Sequence, residues 1–302
     1  MTNLLLYVVT VLIWGTTWYV IKLQLGTVPE TWSVAFRFFI AAGAMAVWLG
    51  LHGRLKDLPT GRNLIFVCAQ GCMLFSLNYW LFYLISNHLT TGLVAIIFSL
   101  ITIMNIGNQW LFFRTRVNTR TLIASLIGIT GLVWVFYPEF ASVKSHDKLL
   151  SSVGLGILAT WFASLGNIIS VRNSAAGLPV MRTNMVGMLA GALCMSIIAI
   201  GSGDPISIET TPRYLFSLVY LALFGSVVAF GCYLTLIHRI GADKGAYAGV
   251  AFPVVALLIS TWFEDYQWTT PAAVGVVLIV IGNVLALSKP EIDARNKNHK
   301  KG

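Results

Sequence analysis

ADKGAYAGVAFPVVALLISTWFEDYQWTTPAAVGVVLIVIGNVLAL, residues 242–287, decides the fold. It holds two apolar spans joined by a short acidic and aromatic hinge, Glu264, Asp265, Tyr266 and Gln267. Each span is about 20 residues long, enough to cross a hydrocarbon core of about 30 Å at roughly 1.5 Å per helical residue. In the first span Pro253 removes a backbone donor. It reads as a helix break of the kind a membrane helix tolerates when neighbours or cavity water satisfy the freed carbonyl. In the second, Gly275 and Gly282 share one helical face, where a close helix neighbour is expected.

The stretch has an echo 151 residues earlier, TGLVAIIFSLITIMNIGNQWLFFRTRVNTRTLIASLIGITGLV, residues 91–133. At that offset Gly131 falls on Gly282, Ala124 on Gly275 and Thr102 on Pro253. A self-similarity of this length in a helical membrane protein predicts two homologous halves.

Hydrophobic residues make up 57% of the 302 and charged residues 10%, and the mean hydropathy is +0.79. A soluble surface needs more charge than this to stay solvated. The net charge of +9 does not indicate nucleic acid here. The basic residues lie between apolar spans, where they set membrane orientation. Cys68, Cys72, Cys194 and Cys232 all fall inside apolar spans without metal spacing and read as packing residues. The N-terminus has no basic n-region and is followed by many more spans, so it reads as a first membrane helix rather than a cleaved signal.

Ten spans are predicted, near 4–23, 32–50, 64–85, 90–112, 119–137, 151–171, 181–200, 213–237, 244–263 and 270–288. The expected class is an all-α integral membrane protein with ten transmembrane helices. Two five-helix repeats (1–140 and 151–288) are joined by a loop at 141–150 and followed by a basic tail at 289–302. The polar stretch 138–152 marks the join. With a cytoplasmic N-terminus, inside loops hold Arg54, Lys56, Arg62, Arg114, Arg116, Arg120, Arg172, Arg182, Arg239 and Lys244. The tail adds Lys289, Arg295, Lys297, Lys300 and Lys301, whereas the outside loops hold only Lys144, Lys148 and Arg213. This asymmetry predicts that both termini are cytoplasmic. Five spans per half then invert the second copy relative to the first, the plan of a transporter with its substrate path near a pseudo-twofold axis.

The order and spacing of LIWGTTWYVIK (12–22), VAFRFFIAAG (34–43), AGVAFPVVALLISTWFED (248–265) and AVGVVLIVIG (273–282), with their duplication, carry a resemblance. Over almost its whole length the chain resembles the EamA branch of the drug/metabolite transporter superfamily. That resemblance implies alternating access in the bacterial inner membrane and a small organic metabolite as substrate, amino acids or related compounds foremost, with export as the direction. In the family's fourth and ninth helices a proline is often followed eleven residues on by a glutamate. This chain has Pro253 and Glu264 in the second half but Thr102 and Phe113 in the first. The fourth helix is therefore expected to be less broken than the ninth.

Two cations lie in or beside apolar spans. Arg37, in the second span, could attract a substrate carboxylate, or it could snorkel or anchor a structural hydrogen-bond network. The resemblance keeps an arginine here across different substrates, which favours the structural role. Lys22 closes the first span, where snorkelling is the expected behaviour. Glu264, at the outer end of the ninth, reads as an interface cap or salt-bridge partner, and no acid stands mid-membrane.

Uncharged polar and aromatic residues form faces that should turn inward, because polar side chains in lipid are unfavourable. Trp14, Trp18 and Lys22 share one face of the first span, and Ser76, Tyr79 and Tyr83 one face of the third. Thr102, Asn105 and Gln109 do so on the fourth. Thr160, Ser164 and Asn167, with Trp161 beside them, lie on the sixth, and Ser226 and Tyr233 on the eighth. The substrate-binding candidates are Trp14, Trp18, Tyr79, Tyr83, Asn105, Trp161, Asn167 and Tyr233, lining a cavity for a small polar solute. Interhelical glue is the competing role for each. No metal ligands and no cofactor are expected. The partners are a small-molecule substrate and the lipid bilayer, with a homodimer left open.

Without a phosphate-binding loop, direct ATP drive is not expected, and without HExxH or GxSxG a membrane enzyme is not. A multidrug or lipophilic-cation exporter and a channel stay as alternatives.

Overall fold

The computed structural model describes residues 2–56, 58–114, 119–142, 146–240 and 248–287, and among them it contains helices and no strand. In chain order the helices are α1 (Asn3–Lys22), α2 (Glu30–Leu51), α3 (Gly61–Ser86), α4 (Thr91–Phe113) and α5 (Thr119–Ser142). Then come α6 (His146–Ala175), α7 (Val180–Gly201), α8 (212–240), α9 (Ala248–Phe263) and α10 (Thr270–Leu287). Seven of the helices are long and apolar enough to cross a membrane. The other three, within α5 and at α9 and α10, are shorter apolar helices at three of the predicted places.

Local signals account for several of the starts. Thr2 accepts from the Leu5 N–H at 3.3 Å to cap α1. Thr211 accepts from the Tyr214 N–H at 3.4 Å ahead of Pro212, whose missing donor is no loss at a first helical position. The stretch 141–150, expected as a loop, is helical wherever it is described: α5 continues through Pro138 to Ser142 and α6 begins at His146. Low hydropathy reports the end of lipid contact, whereas helix hydrogen bonds are internal to the segment and continue into water. The basic tail at 289–302 lies outside the described residues.

Two interruptions depart from the expectation. α9 runs unbroken through Pro253. Pro253 forgoes the backbone bond to the Gly249 carbonyl, and the helix keeps its course past it. α4, which has no proline, is the interrupted helix, with a turn at Ser99 and Leu100 between Thr91–Phe98 and Ile101–Phe113. The Ser99 hydroxyl donates to the Ile96 carbonyl at 2.6 Å and competes with the backbone ladder there. Neither the π-helical segment of α3 (Met73–Leu77) nor that of α8 (Tyr220–Val228) has a signal in the hydropathy pattern.

α2 packs on α7, α3 on α6 and α7, α1 on α8 and α9, and the first part of α4 on α9. α5 and α10 pack chiefly on one another. There the duplicated small residues meet: a Cβ on Gly275 would lie 2.6 Å from the Gly131 carbonyl oxygen, and one on Gly282 2.8 Å from that of Ala124. α3 and α7 approach as closely, since a Cβ on Gly71 would lie 2.1 Å from the Gly187 oxygen.

Gly282→Leu should therefore force α5 and α10 apart and destabilise the protein by about 1–3 kcal/mol or more. Gly43→Ala, where a Cβ meets nothing within 4 Å, should be close to neutral. Melting of the detergent-purified variants measures both, and an unchanged Gly282→Leu melt would contradict this packing.

Candidate functional site

The interior between α1, α2, α3, α4, α8 and α9 is lined by a continuous run of aromatic rings. Trp18 meets Phe82 at 5.1 Å and Phe98 at 5.4 Å between ring centroids. Phe98 meets Phe252 at 5.8 Å, and Phe252 meets Trp14 at 6.4 Å. Trp14 in turn meets Tyr233 at 5.1 Å and Phe230 at 5.3 Å. From Phe230 the contacts pass to Phe75 at 6.1 Å, then Phe38 at 5.5 Å and Tyr79 at 5.1 Å. Most of these pairs are tilted or edge-on, the geometry that the ring quadrupole favours. The Trp14 indole N–H donates to the Gly225 carbonyl at 3.3 Å inside the π segment of α8. A π turn leaves carbonyls poorly matched along the helix, and here an indole takes one.

Arg37 ends this run. Its side chain is 1% exposed, so it does not snorkel. Its guanidinium lies 4.4 Å from the Tyr79 ring centroid and 5.2 Å from that of Phe38. Nε–H donates to the Ser226 hydroxyl at 3.3 Å, while Nη1 has no hydrogen-bond partner among the described residues. One turn beyond Tyr79, the Tyr83 hydroxyl donates to Gln24 Oε1 at 2.6 Å, and the Gln24 amide nitrogen also lacks an acceptor.

One end of the bundle is tied by a second polar group. Lys22 Nζ, on a side chain 40% exposed, stands 2.6 Å from Glu264 Oε1, whose side chain is 2% exposed. Lys22 is thus held in an ion pair rather than simply snorkelling. Glu264 Oε2 accepts from the Thr91 backbone N–H at 2.8 Å and from its hydroxyl at 2.5 Å, and also from Ser260. Ser260 Oγ accepts from the Gly92 N–H at 2.6 Å. The free donors at the start of α4 are thereby capped by α9, where the helix dipole also favours the anion. Burial alone would raise the Glu264 pKa. The Lys22 ammonium and the donors from Ser260 and Thr91 outweigh it and hold the carboxyl below its ordinary value.

The other end has a network of its own. Arg172 donates to Asn63 at 2.8 Å and to Asn173 at 3.1 Å, Asn173 to Gln70 at 2.9 Å, and Gln70 to Asn184 at 3.1 Å. It joins α3, α6 and α7 and reads as structural glue.

Of the substrate-binding candidates, Trp14, Trp18, Tyr79 and Tyr233 lie in the aromatic run, and Tyr83 lies beside it. Asn105 and Asn167 meet each other at 3.4 Å, next to an Asn108–Ser164 bond of 2.8 Å, in a separate ladder between α4 and α6. Trp161 stands apart: it is 42% exposed, with its ring against Phe162. The sequence reading missed Phe38, Phe75, Phe82, Phe98, Phe230 and Phe252, because a phenylalanine in an apolar span carries no signal of which side it faces, and Gln24, which lies just past the end of α1. Asn108 had a signal, three residues from Asn105, that the Thr102–Asn105–Gln109 stripe passed over. Among the described residues no group of three or more His, Cys, Asp or Glu could hold a metal ion.

The EamA-like transporter family model matches this chain twice, at residues 1–137 and 150–288. The chain belongs to the EamA-like transporter family. EamA relatives include Protein PagO of Salmonella typhimurium, 23% identical over 290 residues, covering 94% of this chain and 92% of that protein. The uncharacterized inner membrane transporter YedA of Escherichia coli K12 is 24% identical over 292 residues, covering 93% and 91%. A protein crystal structure at 17% identity aligns with a TM-score of 0.68 over 94% of this chain and 96% of its own, and shares the fold. This EamA chain is a transporter, and its long apolar helices fit an integral membrane protein.

Glu264→Gln should reduce stability by about 1–3 kcal/mol at neutral pH, the cost of unmaking buried hydrogen bonds to a charge. The Lys22 share is small because that ammonium is half in solvent. A depressed carboxyl pKa contributes fully above the unfolded value of about 4.3 and is lost as pH falls through the lower folded value. The melting gap between wild type and variant should therefore stay full above the ordinary carboxylate range and close as pH falls through and below it. A gap constant over that range would contradict the assignment.

Proposed function

We propose that the protein is a secondary carrier of small organic metabolites, foremost amino acids or related compounds, and that it works by alternating access as an exporter. Ten crossings arranged as two inverted five-helix repeats, with both termini cytoplasmic, make up its frame. The observation that carries the reading is the aromatic run in the bundle interior, built from helices of both halves and ending on the buried guanidinium of Arg37. Aromatic walls with a few fixed polar groups suit a small solute with an apolar body. The Lys22–Glu264 tie, which draws α1, α4 and α9 together at one end, serves as the closure that must open and re-form in each cycle. A buried cation in the interior repels a cationic solute, which favours metabolites over lipophilic cations.

Purified protein in liposomes loaded with unlabelled amino acid should take up the labelled compound saturably and faster than empty-lumen controls. Flux linear in concentration without counterflow would indicate a channel, and flux restricted to lipophilic cations the drug exporter. Trp14→Phe and Trp18→Phe should each change the half-saturating concentration about three- to tenfold with folded yield retained, in line with the loss of part of an aromatic contact. Unchanged kinetics for both would remove these residues from the path.

A further inference from the structure

A guanidinium shut away from water needs an acceptor for each donor and an anion for its charge. Arg37 has part of the first and none of the second. Ser226 takes Nε–H, the Tyr83 hydroxyl lies beside the guanidinium and the Tyr79 face takes some of the positive charge, but Nη1 has no hydrogen-bond partner among the described residues. Among the described residues no carboxylate forms an ion pair with Arg37. Another unpartnered donor, the amide of Gln24, reaches the same wall through Tyr83, one turn along α3 from Tyr79.

The backbone around Arg37 is also unusual. The helix stretches that flank it are both π-wound: Phe75 and Tyr79 lie in and just after Met73–Leu77, and Ser226 lies within Tyr220–Val228. Ser226 also donates to the Leu221 carbonyl five residues back, at 3.0 Å, the spacing of a π turn. Such turns recur at functional sites because they re-aim side chains at the cost of helix hydrogen bonds. Beside them Gly225 leaves space, with Arg37 Nη2 3.5 Å from where its Cβ would stand. The 151-residue repeat carries Phe75 onto Ser226 and Arg37 onto Met188. The two halves thus build the same helix contact around a buried methionine in one and a buried arginine in the other. Packing alone is met by the methionine, so the charge answers a different requirement.

We propose that Arg37 is the docking point for the carboxylate of the transported solute, with Nη1 donating to it. Tyr79 and Ser226 hold the guanidinium in plane, Gln24 and Tyr83 flank the anion, and the aromatic run from Phe38 to Trp14 receives the organic body. The assignment rests on the carrier reading above and narrows its substrate to organic acids and zwitterions.

The test uses the full chain in detergent at constant sodium chloride, with matched probes: benzoate against benzamide, and L-leucine against L-leucinamide. A ligand that binds only the folded state raises the melting temperature with the logarithm of its concentration, which yields an apparent affinity. At least one acid should stabilise the wild type while its amide does not. Arg37→Lys keeps the charge but loses the planar fork, and should weaken that affinity about tenfold or more. Arg37→Gln should abolish the response. Equal shifts from acid and amide, no shift from any probe, or an undiminished acid response in Arg37→Gln would overturn the proposal, as would a response that chloride alone reproduces. If Arg37→Gln does not fold, the acid–amide comparison and Arg37→Lys still decide. Saturable liposome flux of an uncharged solute, indifferent to the acids, would keep the carrier and discard this site. An acid response without flux of any solute would keep the site and discard the carrier.

Discussion

A polar atom in the hydrocarbon interior can bond only to protein, so the few polar side chains of this chain decide which helices must touch. Three groups do most of this. Glu264 gathers Lys22, Thr91 and Ser260 and binds α1, α4 and α9 at one end. Gln70, Asn173 and Asn184 bind α3, α6 and α7 at the other. Asn105, Asn108, Ser164 and Asn167 join α4 to α6. Each group satisfies its donors largely within itself. Arg37 does not: set between α2 and α8 and against the aromatic rings, its Nη1 has no partner among the described residues.

The duplication explains why the interior has this shape. At the same 151-residue offset α3 begins at Gly61 and α8 at Pro212, and α5 begins at Thr119 and α10 at Thr270. The π segment of α3 falls on 224–228, within that of α8. Backbone geometry is shared between the halves where it sets helix approach, as in Gly131 against Gly275. Side chains diverge at other positions, as in Met188 at the repeat position of Arg37.

Much of the architecture could be read from the chain because lipid imposes a simple code of length, hydropathy and small residues at close contacts. The Gly275 and Gly282 face was legible for that reason, and so was the inward turn of Trp14, Trp18 and Tyr79. The pairing of Lys22 with Glu264 was not, because an ion pair 242 residues apart in sequence depends on which helices become neighbours. The unbroken course through Pro253 and the break at Ser99 were both read the wrong way. A proline weakens a helix by one bond whose cost depends on its place, whereas a serine that bonds back to the carbonyl three residues earlier acts without any change in hydropathy.

That same separation has a consequence for biogenesis. α1 finds its lateral partners in α8 and α9, among the last helices to be made. At a typical 5–20 residues per second, the ribosome needs roughly ten to fifty seconds to travel from Lys22 to Glu264. For that interval Trp14 and Lys22 lack their eventual contacts on α8 and α9, and only the α1 face that bears Trp18 has its partners, Phe82 and Phe98, already made. The ion pair between the first helix and the end of the ninth thus forms only after most of the chain has been made.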